Sequence, residues 1–155
     1  MNTLVVYYSK YGNTQKVAEI IASECTSLGS ARAINLDDLT LTDLKQADIV
    51  IMGSPTHRMN LPEAAREKLN SFPKRVIKRI PVAAFDTSYK MHGFLNRFTA
   101  AKKLVPKLRK MGGVRVVPPE TFHVTEAKGP LHDGEIERAQ TWAGQILAQI
   151  QQRKS

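Results

Sequence analysis

The feature that most restricts the fold is a fivefold alternation of short apolar runs with longer amphipathic stretches. Asn2 to Tyr8 carries Val5, Val6 and Tyr7, residue types that suit a buried strand. Thr14 to Leu28 sets Val17, Ile21, Cys25 and Leu28 on one helical face and stops at Gly29. Ala31 to Leu36 reads as a weaker second strand, and Thr42 is placed to cap a short helical turn through Ala47. Ile49 to Gly53 is apolar without alternation, as expected of a strand covered on both faces. Pro62 suits the first position of a helix running to about Phe72, and Pro81 to Asp86 forms the fourth strand.

The next helix is expected over about Gly93 to Met111, kinked or split by Pro106. A fifth strand starts at Val114 to Val117, is broken by Pro118-Pro119, and resumes at Thr121 to Thr125. Proline lacks an N–H, so this strand belongs at a sheet edge. Asp133 is placed to cap a last helix whose buried face holds Ile136, Ala139, Ala143, Ile146 and Ile150. Strand–helix alternation of this kind makes a three-layer α/β/α, doubly wound parallel sheet of five strands. With 155 residues and no linker or repeat, the chain is expected to form one domain over residues 1–155.

Several chemistries are excluded by residue content. One cysteine allows neither an internal disulfide nor a cysteine-built zinc site. Cys25 falls on an apolar helix face, His123 in a strand, Trp142 in the last helix, and His132 in a loop, so packing accounts for the first three. No His, Asp and Glu group has metal-ligand spacing and no serine has triad surroundings, so neither a metal nor a catalytic side chain is expected. No apolar run approaches the ~20 residues of a membrane span, and a soluble, cytoplasmic protein is expected.

The formal net charge of +9 is unevenly placed: Thr87 to Pro119 contains no acid and eight Lys or Arg. Such a stretch is either a solvated helix face or a surface that attracts an acidic protein, an anionic substrate or nucleic acid.

In open parallel sheets, ligands collect beyond the strand carboxyl ends where strand order reverses. Three segments occupy such places. Ser9-Lys10-Tyr11-Gly12-Asn13-Thr14 leads from a strand into a helix, whose first N–H groups bind phosphate; Gly12 allows the tight turn, Ser9, Asn13 and Thr14 add donors, and Lys10 adds charge. Pro55, Thr56, His57, Arg58, Met59 and Asn60 follow the third strand, with Met59 suited to an aromatic ring face. Asp86, Thr87, Ser88, Tyr89 and His92 follow the fourth, with Tyr89 able to stack on a flat ligand. Neither a G-x-x-x-x-G-K-[ST] run nor a G-x-G-x-x-G after the first strand occurs, which argues against a P-loop nucleotidase and a Rossmann dinucleotide site. A phosphorylated receiver domain needs carboxylates at strand ends, where this chain has Tyr8-Ser9 and Gly53-Ser54.

Taken together, the three segments resemble the flavodoxin family, over essentially the whole chain. The resemblance rests on Ser9, Gly12, Asn13 and Thr14, with Tyr11 before the glycine as in the quinone-reductase branch, and on Gly53-Ser54-Pro55-Thr56. It implies strand order 2-1-3-4-5, an FMN cofactor with its phosphate on the first segment, and a ring held by the other two. FMN rather than FAD is expected, because the phosphate loop resembles one for a terminal monophosphate. The chain departs from the family's acidic electron carriers in being basic, in lacking a loop tryptophan, and in setting His57, Arg58, Lys90 and His92 around the expected ring position.

Two functions follow. One is an FMN redox protein, either an electron carrier or a small NAD(P)H- or quinone-dependent reductase, whose partner is a redox protein or a small electron donor or acceptor. The other is a non-enzymatic binding module whose basic face holds an acidic partner or nucleic acid, the latter the less expected.

Overall fold

A computed structural model describes residues 1–57, 60–89 and 98–154. The strands are β1 (Asn2–Tyr7), β2 (Ser30–Asn35), β3 (Ile49–Pro55), β4 (Pro81–Ser88), β5 (Val114–Arg115) and β6 (Glu120–His123). The helices are α1 (Asn13–Cys25), α2 (Leu41–Gln46), α3 (Glu63–Asn70), α4 (Ala100–Lys110) and α5 (Glu135–Lys154). All described strand pairs are parallel, in the order β2-β1-β3-β4, with β5 and β6 both on the outer edge of β4. Register places Val5 beside Ala33 on one side and Ile51 on the other.

The expected fifth strand is thus two pieces on one neighbour. β5 pairs Arg115 with Val82, and β6 resumes with Glu120 opposite Phe85. Pro118 and Pro119 fall in the gap, where a residue without an N–H cannot extend the ladder.

Side chains alternate between the two faces of the central strands. Leu4, Val6, Val50, Met52 and Ala84 pack in the layer that holds Leu44, Leu69 and Leu104. Val5, Ile51 and Phe85 pack under α1 and α5 with Val17, Ile21 and Ile146. On that side Phe85, Phe122 and Trp142 form three mutual edge-to-face contacts, each with centroids 6.0 Å apart, a favoured aromatic geometry. Trp142 and Cys25 are core residues, and burial pushes the Cys25 thiol up to about 11, which leaves it protonated and unreactive near neutrality.

Several element ends differ from the sequence expectation. α2 is capped by Thr40 and not Thr42: the Thr40 hydroxyl accepts from the Asp43 N–H while the Asp43 carboxylate accepts from the Thr40 N–H. An acid three residues after the cap makes this reciprocal pair possible. Pro62 is the N-cap of α3, one residue outside the helix. α5 begins at Glu135, after Gly134, whose φ of 86° breaks the helix path from Asp133. Pro106 does not divide α4, which runs unbroken and keeps the proline on its exposed side. The expected start of that helix at Gly93, with Phe94, lies outside the described residues.

Candidate functional site

The carboxyl ends of β1, β3 and β4 border a cavity of about 900 Å³, at the switch where order passes from β1 outward in both directions. Its walls bring together most of the residues expected from sequence: Ser9, Lys10, Tyr11, Asn13 and Thr14 from the first loop, Pro55, Thr56 and His57 from the second, and Thr87, Ser88 and Tyr89 from the third.

The first loop turns through Gly12 at φ 92°, a left-handed backbone where a side chain is strained. α1 opens at this glycine with no side-chain cap and no acid in its first turn. α2, by contrast, has a complete capping box. Among the described residues, the first N–H groups of α1 therefore have no side-chain cap, which is the condition for holding an anion.

The hydroxyls around it are pre-positioned. Ser9 Oγ accepts from the Gly12 N–H at 3.0 Å, so its own proton remains available to donate. Thr14 is buried and its hydroxyl bonds that of Thr87 at 2.8 Å, joining the first loop to the end of β4. One donates to the other, and the pair retains one O–H proton for a ligand.

The aromatic walls are open. Tyr11 and Tyr89 are 45% and 51% exposed, enough to offer ring faces to a flat molecule. The Lys10 and Lys128 ammonium groups lie 5.3 and 5.9 Å from the Tyr11 ring centroid, a cation–π arrangement that adds positive charge at the rim.

Other expected residues play different parts. Asp86 does not line the cavity. It is fully buried, and its Oδ2 accepts from the Ala101 N–H at 2.8 Å in the first turn of α4. Burial pushes its carboxyl up to about 6, against the Ala101 N–H and the nearby Thr121 and Thr99 hydroxyls, which favour the charged form. Those hydroxyls are close without being in bonding geometry, since Asp86 Oδ1 and Thr99 Oγ1 have no hydrogen-bond partner. The strand simply continues through Asp86, and its period of two turns that side chain toward α4. Asn60 is likewise used internally: it pairs with His57 through two backbone hydrogen bonds and its Oδ1 accepts from the Leu61 N–H. Arg58, Met59 and His92 lie outside the described residues, as does Lys90.

The cavity has walls that sequence reasoning missed. Tyr8, Pro62, Glu63 and Ala64 border it, as do Val124 and Ala127 from the β6–α5 connection. That connection packs directly on the first loop: a Cβ on Gly129 would meet Asn13 Oδ1 at 2.5 Å, and the residue's φ is 97°. Gly129-Pro130 was a legible turn signal, but only the fold shows which loop it touches.

The switch point of this doubly wound sheet thus combines an uncapped helix start with two exposed tyrosines around one cavity. A flavodoxin domain model matches residues 4–121. A flavodoxin of Clostridium saccharobutylicum is 25% identical over 162 residues, covering 98% of this chain and 99% of its own. Among solved structures, a flavodoxin from the domain Archaea superposes with a TM-score of 0.74 at 23% identity, over 97% of this chain and 99% of that one. Oxidised Flavodoxin 2 from Bacillus cereus gives 0.74 at 19% identity, over 96% and 99%. The chain belongs to the flavodoxin family, FMN-binding electron-transfer proteins. Among the described residues no helix is long and apolar enough to cross a membrane.

Proposed function

We propose that the cavity holds one FMN, with its phosphate at Ser9 to Thr14 and its ring between the segments Pro55–His57 and Thr87–Tyr89. The observation that carries this is the uncapped start of α1 opening beside a cavity flanked by two exposed tyrosines. The donor set fits a phosphate monoester: free backbone N–H groups, the Ser9 hydroxyl, and the Thr14–Thr87 pair. FMN supplies the electron-transfer chemistry when bound. The chain's own residues bind the phosphate, orient the ring, and shield one side of it through Val124 and Ala127.

Calorimetric titration of the flavin-free protein with FMN and with FAD tests this assignment. One-to-one binding with FMN preferred is expected; tighter FAD binding overturns it. A small reductase is favoured over a pure carrier by the cationic rim of Lys10 and Lys128, which suits an anionic electron donor. Bleaching of the flavin absorbance by NADH or NADPH, followed by reoxidation with a quinone, is expected of a reductase. Bleaching only through a reduced protein partner identifies a carrier.

A further inference from the structure

The basic charge is segregated along the chain. Residues 66–115 hold fourteen of the 23 Lys and Arg but two of the 14 Asp and Glu, one of them the buried Asp86. Within this third of the chain, the segment 74–80 reads Lys-Arg-Val-Ile-Lys-Arg-Ile, a four-residue pattern given nearly twice. Both arginines, Arg75 and Arg79, have φ of 66°. The N–H groups of Arg75, Ile77 and Arg79 donate to the carbonyls of Lys110, Met111 and Gly112 at 3.2, 2.9 and 2.9 Å. Zipped against the end of α4 in this way, the segment turns Ile77 into the core and leaves Lys74, Arg75, Lys78 and Arg79 exposed. Arg109 and Lys110 of α4 are exposed beside them. Among the described residues none of these six is ion-paired.

This pole precedes Pro81, whereas the cavity lies at Thr87 to Tyr89. Seven steps along β4 at about 3.3 Å each separate the two by about 23 Å. The pole is therefore no part of the cavity mouth. Cations do favour a helix C-terminus, but that effect is confined to the last turn, and here the terminal carbonyls already receive three backbone N–H groups. It does not account for four exposed cations in the connecting segment.

The chemistry of the pole selects among polyanions. The segment's apolar residues Val76, Ile77 and Ile80 are at least partly buried against the core, so nothing on it inserts into lipid, and charge alone is a weak membrane anchor. No aromatic side chain is interleaved with the six cations, so there is no stacking platform for single strands. What remains is a set of six exposed arginine and lysine groups, the side-chain chemistry that contacts the phosphates of a duplex.

We propose that this pole binds the phosphate backbone of double-stranded nucleic acid without reading its sequence. This departs from the lower expectation for nucleic acid drawn from sequence. The proposal is independent of the flavin assignment. The test is fluorescence anisotropy of the flavin-loaded full chain with a labelled mixed-sequence duplex of about 30 base pairs, between 50 and 200 mM salt. Six contacts give a slope of log affinity against log salt of about −5. The variant Lys74→Gln/Arg75→Asn/Lys78→Gln/Arg79→Asn is expected to flatten the slope by about 3 to 4, and Arg109→Gln/Lys110→Gln by about 2, both with unchanged flavin content. The second variant leaves the strained segment intact and decides the matter if the first misfolds. Absence of binding at 50 mM salt, wild-type slopes in the folded variants, or tighter binding to phosphatidylglycerol vesicles or polyglutamate than to the duplex overturns the proposal.

Discussion

At the residue scale, the pair Thr14–Thr87 carries the sharpest consequence. Both residues are buried, and their hydroxyls hydrogen-bond at 2.8 Å. Thr14→Val keeps the shape of the side chain and deletes the hydroxyl. It should cost about 1–2 kcal/mol of stability, since Thr87 is left without its partner, and weaken FMN by about tenfold or more, a loss of about 1.4 kcal/mol or more. Titration of the folded variant checks this; unchanged affinity places the phosphate elsewhere. Asp86 makes the second prediction. Burial pushes its carboxyl up to about 6 in the folded chain from an ordinary 3.8, so between these values the folded state keeps a proton that the unfolded state has lost. Stability due to this group is present at low pH and falls as pH rises from about 4 past 6, by about 3 kcal/mol. Asp86→Asn removes the buried charge while still offering an oxygen to the Ala101 N–H. Denaturation of the flavin-free proteins should give matching stabilities near pH 4 and a more stable variant at pH 8; parallel pH profiles would refute the assignment. Of the candidate site residues, the first loop's place on the cavity wall was legible because a helix start demands a small set of side chains. The role of Asp86 was not, because one residue of strand extension decides whether a strand-end side chain meets ligand or helix.

At the element scale, α4 shows how tertiary packing overrides a local signal. Pro106 removes the hydrogen bond to Lys102 O and crowds that carbonyl. The helix nevertheless continues, because Ala101, Leu104, Val105 and Leu108 are buried on one side. Pro106→Ala should restore the bond and raise stability by about 1–3 kcal/mol, visible as a higher melting temperature with unchanged flavin binding. A lower melting temperature would mean that the proline's restriction of the unfolded chain outweighs the helix defect. The prolines of the β5–β6 gap did act as read, since no packing supplies the missing ladder donors. Strand and helix order was thus legible from periodicity, while element ends moved by up to three residues, as where α1 stops at Cys25 and where Thr40 caps α2.

At the scale of the whole molecule, the charge distribution gives the chain a basic middle third, residues 66–115, and a remainder in which acids outnumber bases. A redox partner approaching the cavity sees a cationic rim and a net charge of +9. Electron transfer to an acidic protein acceptor should slow several-fold between 0.01 and 0.1 M salt as the screening length falls from about 30 to about 10 Å, and transfer to a basic acceptor should quicken. Stopped-flow rates with the two acceptors check this; salt-independent rates in both would show that the charge does not steer encounter. Composition alone revealed the size of the charge. Only the path of the chain from α3 into β4 revealed that so much of it gathers at the end remote from the cavity.

One joint in the fold makes the two ends of the molecule answer to each other. The first two amides of α4 are held from outside the helix: Ala100 N–H by the Thr56 hydroxyl and Ala101 N–H by the Asp86 carboxylate, each at 2.8 Å. Thr56 belongs to the cavity wall, and α4 ends among the basic side chains. The start of the helix is thus tied to the cavity wall through Thr56 and to β4 through Asp86. The hydrogen-exchange rates of those two amides should fall together when FMN steadies the loop and rise together in Thr56→Val, reporting occupancy of the cavity from atoms that never touch the cofactor.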